Sequence, residues 1–121
     1  MCLILESDKV KSKIADKDIP VYKVFKRDCY GTSYGITPYF YYKYVKGWTV
    51  KSRLKKLKSM VNTGLHSFKS NKYCSHRKDV YIFVKMYIPK GARYYTGTFM
   101  EKVSYASTRL EWRDNKRKVN K

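Results

Sequence analysis

The run of residues from Val80 to Ile88 constrains the fold more than any other stretch of this chain. It reads VYIFVKMYI, in which one lysine interrupts β-branched, aromatic and other apolar residues. This composition predicts a buried β-strand, and Pro89 and Gly91 then end it. A strand of this kind is expected to lie at the centre of a sheet.

The turn after this strand is basic and aromatic. The strand is therefore expected to deliver cationic and stacking groups to one edge of the fold, where an anionic, ring-bearing ligand would bind. The predicted ligand-binding residues here are Lys90, Arg93, Tyr94 and Tyr95. In the alternative interpretation the two tyrosines begin the next strand, one facing inward and one outward, and the two cations are solvated turn charges.

The charge of the chain points to an anionic partner. Lys and Arg number 28 against 9 Asp and Glu, which gives a net charge of +19 and strong self-repulsion in the folded state. Nucleic acid, a nucleotide, an acidic protein or an anionic membrane would each offset it. Because 43% of the residues are hydrophobic and 17% aromatic, the chain is expected to fold and not to behave as a disordered polybasic segment.

The 121 residues predict one compact domain, over 1–112, followed by a flexible basic tail over 113–121. No apolar run is long enough to span a bilayer, and the opening MCLILESD is too short and too acidic for a signal peptide. A cytoplasmic location without membrane insertion is therefore expected. The oligomeric state stays open.

The cysteines favour structural thiols. Cys2, Cys29 and Cys74 are odd in number and lack CxxC spacing, and the chain has only two histidines. No metal site and no cofactor are therefore expected. Whether loss of Met1 ever leaves Cys2 as an N-terminal nucleophile, and not as a packed residue of a strand, stays open.

Local patterns predict an α+β fold: a β-rich single domain with a twisted, mostly antiparallel sheet and one or two short helices. Ile19–Lys26 alternates as a half-buried strand, whereas Thr49–Val61 fits either a helix or strands. Ser70 is expected to cap a short helix that runs toward Lys78. The other segments are a short edge strand at Cys2–Leu5, a loop at Arg27–Pro38, a strand at Leu65–Phe68, and two strands that close the sheet at Phe99–Ala106 and Thr108–Trp112.

A second basic patch lies between Lys51 and Lys58, where five of eight residues are Lys or Arg and none is acidic. Its predicted anion-binding residues are Lys51, Arg53, Lys55 and Lys56. The tyrosine-rich stretch Tyr39–Val45 adds rings that can stack on bases. His66 completes the predicted ligand-binding set, with a packed, hydrogen-bonded role as the alternative.

Five short motifs occur in a characteristic order: MCLI at the start, DIPVYKV at 18–24, GLHSF at 64–68, IPKGARYYTG at 88–97 and SYAS at 104–107. In this order they resemble a family of small uncharacterised proteins of phages and of the gut bacteria that phages infect. The resemblance covers Met1 to about Trp112. It implies a compact β-rich domain of phage or prophage origin, acting in the host-cell cytoplasm.

A weaker similarity is to the ADP-ribosyltransferase layout, in which a strand with Arg or His, a Ser-Thr-Ser-like strand and a strand with a catalytic Glu follow one another. In this chain the three elements would be VYKV, GLHSF and VSYAS. Lys23 stands where the first element would have Arg or His, and Tyr105–Ser107 of the third element contains no carboxylate. The likeness implies a degenerate enzyme whose pocket binds a nucleotide and leaves it intact.

The sequence contains no paired carboxylates at a useful spacing, no phosphate-cradling glycine loop and no cluster of metal ligands. We therefore predict a non-enzymatic binding protein for a nucleotide or nucleic acid. In a phage, such a protein would act in counter-defence by sequestering a nucleotide immune signal. The alternatives are the degenerate enzyme and an inhibitor that docks on an acidic or nucleic-acid-binding surface of a host defence protein.

Overall fold

The computed structural model describes residues 3–27, 31, 34–36, 43–70 and 81–113, which form β-strands joined by turns and short loops. The strands are β1 (Leu3–Ile4), β2 (Lys13–Ile14), β3 (Ile19–Lys26), β4 (Tyr34–Ile36), β5 (Lys43–Val45), β6 (Thr49–Lys51), β7 (Met60–Val61), β8 (Leu65–Phe68), β9 (Tyr81–Ile88), β10 (Arg93–Phe99), β11 (Lys102–Ser107) and β12 (Arg109–Glu111). The predicted β-rich, antiparallel single domain is confirmed.

The predicted short helices are not confirmed, since none of the described residues is α-helical. Thr49–Val61, for which a helix was one alternative, contains β6 and β7 separated by a loop. The other candidate helix falls mostly on residues 71–80, which lie outside the described residues. The three cysteines, Tyr39–Tyr42 and residues 114–121 of the predicted tail also lie outside them.

Ten strands form one antiparallel sheet in the order β6-β12-β9-β3-β8-β11-β10-β1-β7, with β2 paired to β10, and β4 and β5 form a separate pair. The longest pairing joins β3 to β9, in register from Ile19 opposite Ile88 to Lys26 opposite Tyr81. The prediction of a central strand ending at Ile88 is confirmed, because β9 lies between β12 and β3, but the strand is not buried throughout: only Met86 and Ile88 are buried and Lys85 is exposed, because one face of β9 points outward. The predicted edge strand near the N-terminus is wrong in its position, since β1 lies between β10 and β7.

The chain bends sharply at Thr108, which separates β11 from β12. β11 pairs with β8 and β10, whereas β12 pairs with β9 and β6. The path from β12 through β9, β3 and β8 to β11 therefore begins and ends on adjoining residues, and the sheet curls round to close on itself. Bends of this kind let one strand serve two parts of a sheet. The curled sheet has an inner face and an outer face.

The inner face holds the larger hydrophobic core, built on β3, β9 and β12. The Phe25 ring stacks on Trp112 at 5.5 Å between centroids and meets Tyr44 edge-on at 5.6 Å. A Cβ atom at Gly35 would lie 2.9 Å from the Phe25 ring, so this close approach requires glycine. The β4–β5 pair thus closes over the core, although the sequence predicted only a loop at Arg27–Pro38.

A smaller cluster of Leu3, Leu5, Val61 and Ala106 lies on the outer face, where the N-terminal segment crosses β10 and β11. At Gly97 a Cβ atom would stand 2.3 Å from the carbonyl oxygen of Ile4, so β1 fits only over glycine. This cluster covers one end of the outer face, and the surface of β3, β9, β12 and β6 lies beyond it. Within the described residues, no helix is long and apolar enough to cross a membrane.

Candidate functional site

The bend at Thr108 brings together the two basic stretches that the sequence predicted separately. On one side, β6 places Lys51 directly opposite Arg109 of β12. On the other side, the Arg93 amide donates to the Thr108 hydroxyl at 3.2 Å, and the Thr108 amide donates to the Arg93 carbonyl at 2.9 Å. The end of β6 and the start of β10 therefore converge on one site.

Arg109 connects these two sides, and sequence reasoning missed it. A Cβ atom at Gly91 would lie 3.8 Å from its Nη2 atom, so the guanidinium reaches the turn that carries Lys90. Arg109 lies between the uncharged residues Thr108 and Leu110 and outside any run of basic residues, so the local sequence does not mark it. Its pairing with Lys51 and its approach to Gly91 assign it to this surface. We define the basic cluster as Lys51, Lys90, Arg93 and Arg109, of which all but the partly exposed Arg109 are exposed.

The acids beside the basic cluster are already neutralised. Arg113 donates to the carboxylates of both Asp18 and Glu111, and these hydrogen bonds raise the pKa of its guanidinium. Asp18 also accepts the Lys90 amide at 2.9 Å. No cation of the basic cluster forms an ion pair with a carboxylate among the described residues. Their positive charge is therefore available to a ligand.

The loop after β6 divides the remaining predicted lysines and arginine into two kinds. Arg53 and Lys55 are exposed and extend the positive surface away from Lys51. Lys56 differs from the expectation, because its Nζ donates to the Val10 carbonyl at 2.7 Å and to the Asp8 carbonyl. Its ammonium holds the N-terminal segment against the loop, so we assign Lys56 a structural role.

Tyr94 and Tyr95 lie on opposite sides of β10. The Tyr94 ring meets Tyr105 edge-on at 6.0 Å on the inner face. Tyr95 packs on the outer face against the cluster that contains Leu3 and Leu5. Both rings are partly buried, so they do not form the shared stacking surface that the sequence suggested.

His66 is also held within the protein. Its side chain is 6% exposed, and its Nε2 atom lies 3.0 Å from the Val61 carbonyl oxygen. Burial lowers the pKa of the imidazole, with the nearby Lys23 amine acting in the same direction. The packed, hydrogen-bonded alternative therefore describes His66, and its buried ring does not join the basic cluster.

The three elements of the ADP-ribosyltransferase-like layout are neighbouring strands, since β8 pairs with both β3 and β11. Their registers place Lys23, Ser67 and Tyr105 in one row on the inner face. These side chains are 8%, 1% and 9% exposed, respectively. The row therefore lies within the core and presents no surface to a dinucleotide.

Lys23 has the most perturbed titration in this row. Desolvation lowers the pKa of its amine to about 8. A shifted pKa often marks a functional site, but only where a ligand can reach the group. Here the Lys23 side chain is buried, and the neighbouring Ser67 hydroxyl is buried without a hydrogen-bond partner among the described residues, so the amine lies in a closed interior.

In the part of the chain that the structure describes, no three His, Cys, Asp or Glu residues come together as metal ligands. Comparison of the chain with protein-family models, curated proteins and solved structures found no match. The surface with the clearest capacity to bind a ligand is the basic cluster around Thr108.

Proposed function

We propose that this protein binds the phosphate backbone of nucleic acid through the basic cluster. One observation carries the proposal: the bend at Thr108 collects four cations from three parts of the chain, while Arg113 occupies the adjacent carboxylates. Phosphate contacts by Lys and Arg supply most of the affinity in sequence-independent nucleic-acid binding. The net charge of +19 adds long-range attraction for the same partner.

The openness of the surface favours nucleic acid over a free nucleotide. A nucleotide site is usually concave and lined by aromatic side chains. In contrast, Lys51, Lys90 and Arg93 are exposed, and the rings of Tyr94 and Tyr95 pack against separate clusters. An exposed basic surface suits a polymer that offers several phosphates at once.

The biological setting is proposed from the resemblance to small phage proteins. A phage protein that binds nucleic acid in the host cytoplasm would act in counter-defence by withholding a nucleic-acid signal from the host. The competing candidate is an inhibitor that docks on an acidic host-protein surface, which the same uncompensated charge supports.

The proposal is tested by fluorescence anisotropy with labelled oligonucleotides of about 20 nucleotides, between about 50 and 200 mM salt. We expect log affinity to fall linearly with log salt, and Arg109→Gln and Lys51→Gln each to reduce the slope by about 0.7 to 0.9. Lys58→Gln is the matched control, because Lys58 is exposed in the hairpin beside β7, at the opposite end of the strand order.

Equal slopes for wild type, Arg109→Gln and Lys58→Gln would contradict the basic-cluster site. Tight binding of mononucleotides with little salt dependence would point to a closed small-ligand site instead. Native mass spectrometry of the purified protein separates the docking candidate, which predicts a stoichiometric complex with a host protein and no nucleic acid.

A further inference from the structure

The outer face of β3 and β9 carries aromatic and cationic side chains side by side. Tyr22 of β3 is directly opposite Lys85 of β9, and Tyr87 follows two residues later on the same face. Their neighbours Val21 and Met86 are buried in the inner core, so these three side chains project outward. Tyr22 and Tyr87 are partly exposed and Lys85 is exposed.

The two tyrosines are near neighbours. Opposed side chains on paired strands lie about 5 Å apart and diagonal ones about 7 Å apart, so Tyr22 lies beside Lys85 and diagonal to Tyr87. The Lys85 Nζ atom lies 5.6 Å from the Tyr87 ring centroid. The Cζ atom of Arg113 lies 3.8 Å from the centroid of the same ring, so the Arg113 guanidinium and the Tyr87 ring form a cation–π pair, here called the Arg113–Tyr87 stack.

This aromatic strip is continuous with the basic cluster. Tyr87 pairs with Glu111 on β12, and Arg109 precedes Glu111 by two residues on the same face. Lys51 then lies opposite Arg109. The carboxylate along this path, that of Glu111, is bonded to Arg113. One surface therefore runs from stacking groups to uncompensated cations.

We infer that the ligand is a single-stranded nucleic acid that lies along this surface. Its bases stack on Tyr22 and on the Arg113–Tyr87 stack, and its phosphates face Lys85, Arg109 and Lys51. Rings beside a basic track serve single strands, whose bases are free to stack, whereas the bases of a duplex are enclosed. The inference rests on the proposed function and adds the class of nucleic acid and the residues that recognise it.

The test compares labelled single strands with duplexes of the same sequence, for wild type, Tyr22→Leu, Tyr22→Phe, Lys85→Gln and Lys58→Gln. We expect wild type to bind the single strand at least tenfold more tightly than the duplex. Tyr22→Leu should lose roughly fivefold to a hundredfold of single-strand affinity, the usual effect of one stacking ring, with the duplex affinity unchanged. Tyr22→Phe keeps the ring and should bind as wild type does.

Lys85→Gln provides a second test that leaves the core untouched, because Lys85 is exposed. It should lower the salt slope for the single strand by about 0.7, and Lys58→Gln should not. If Tyr22→Leu lowers the melting temperature, the Lys85→Gln slope decides the outcome.

The two proposals fail in different ways. Two outcomes overturn the inference and leave the proposed function standing. One is equal affinity of the wild type for single strand and duplex. The other is unchanged single-strand binding by Tyr22→Leu and Lys85→Gln, while Arg109→Gln weakens the binding of both ligands. Absence of salt-dependent binding to either ligand overturns both.

Discussion

The Nζ atom of Lys23 donates a hydrogen bond to the carbonyl oxygen of His66 across 2.6 Å of the inner core. The same atom lies 5.5 Å from the centroid of the Tyr44 ring. No carboxylate among the described residues pairs with this amine. A buried amine without a counter-ion destabilises the fold while it is charged, so the pH dependence of stability reports on it.

Lys23→Met is expected to stabilise the protein at neutral pH. The pKa of the amine is about 8 in the folded chain, against 10.5 when solvated, so between these values the unfolded chain binds more protons and wild-type stability rises with pH. A shift of this size corresponds to roughly 3 kcal/mol. In urea unfolding, the free energy of unfolding of Lys23→Met should exceed that of the wild type by about that amount near pH 7, and this difference should shrink toward pH 10.

Comparing the two proteins at each pH cancels the titration of other groups, including Tyr105, whose pKa is raised by desolvation in both. If the difference in unfolding free energy between Lys23→Met and the wild type were the same at pH 7 and pH 10, the Lys23 amine would titrate as a solvated group.

Ser67→Ala and Ser107→Ala are expected to have opposite effects. The Ser67 hydroxyl is buried and has no hydrogen-bond partner in the described part of the chain, whereas the Ser107 hydroxyl donates to the carbonyl oxygens of Arg109 at 3.0 Å and Leu65 at 3.3 Å. Removing an unpartnered hydroxyl relieves its desolvation cost, and removing a bonded one leaves carbonyls short of a donor. Thermal unfolding should show a gain of about 1 kcal/mol for Ser67→Ala and a loss of similar size for Ser107→Ala. Changes of the same sign would contradict this assignment.

Lys56→Ala is expected to loosen the N-terminal segment, because the Lys56 ammonium is bonded to the carbonyls of Asp8 and Val10. The expected loss of stability is roughly 1 to 3 kcal/mol, the range for hydrogen bonds from a charged donor. Hydrogen exchange should quicken at Leu5, whose amide donates to Ser59 at 2.8 Å. Lys55→Ala removes an exposed neighbouring charge and serves as the control. Equal exchange rates of the Leu5 amide in Lys56→Ala and Lys55→Ala would contradict the structural role assigned to Lys56.

Gly97→Ala is expected to displace β1 from the sheet. The added methyl carbon would stand 2.3 Å from the Ile4 carbonyl oxygen, where backbone and not a flexible side chain must move. We expect a loss of roughly 3 kcal/mol in denaturant unfolding, at the upper end of overpacking costs. Thr96→Ala, at an exposed neighbouring position on β10, is the control. A Gly97→Ala protein as stable as Thr96→Ala would show that β1 is not seated over this glycine.

Local sequence predicted the two longest strands of the core, β3 from its alternation and β9 from its apolar composition. The bounds of β3 match the predicted Ile19–Lys26, and β9 matches the predicted strand over its described residues. The signal is local in both cases: apolar residues alternate with polar ones in β3, and β-branched and aromatic residues form a nearly continuous run in β9. The alternation in β3 groups Lys23 with Val21 and Phe25 on one side of the strand, and the structure shows that this side faces the core. The alternation does not predict that the Lys23 amine is buried without a carboxylate partner among the described residues.

Pairing between distant segments could not be read from the sequence. The alternation of Leu65–Phe68 predicts a strand but does not say what covers it, and all four residues are buried because β8 is covered on both faces. Likewise, β2 lies in a charged stretch and exists only through its pairing with β10. Such elements depend on partners many residues away and leave no local periodic signal.

For the candidate site, the sequence supplied the two basic stretches but not their geometry. The outward set on β3 and β9, with Tyr22, Lys85 and Tyr87, was visible in the alternation of two predicted strands. The sequence does not show the strand register, which places Tyr22 opposite Lys85 and pairs Tyr87 with Glu111 of β12. For Lys56 the sequence was misleading, since nothing in the neighbouring residues distinguishes it from Lys55. Only the fold brings the Lys56 amine within hydrogen-bonding distance of the Asp8 and Val10 carbonyls.

The bend at Thr108 also governs when the protein can fold during its synthesis. Without residues 102–111 the strand order separates into three pieces: β6 alone, β9-β3-β8, and β10-β1-β7. Because this stretch follows the other strands of the described residues, a ribosome must make it before the pieces can join. The nascent chain therefore carries unpaired strand edges until residues 102–111 have been made, and chaperones that shield such edges matter most before that point.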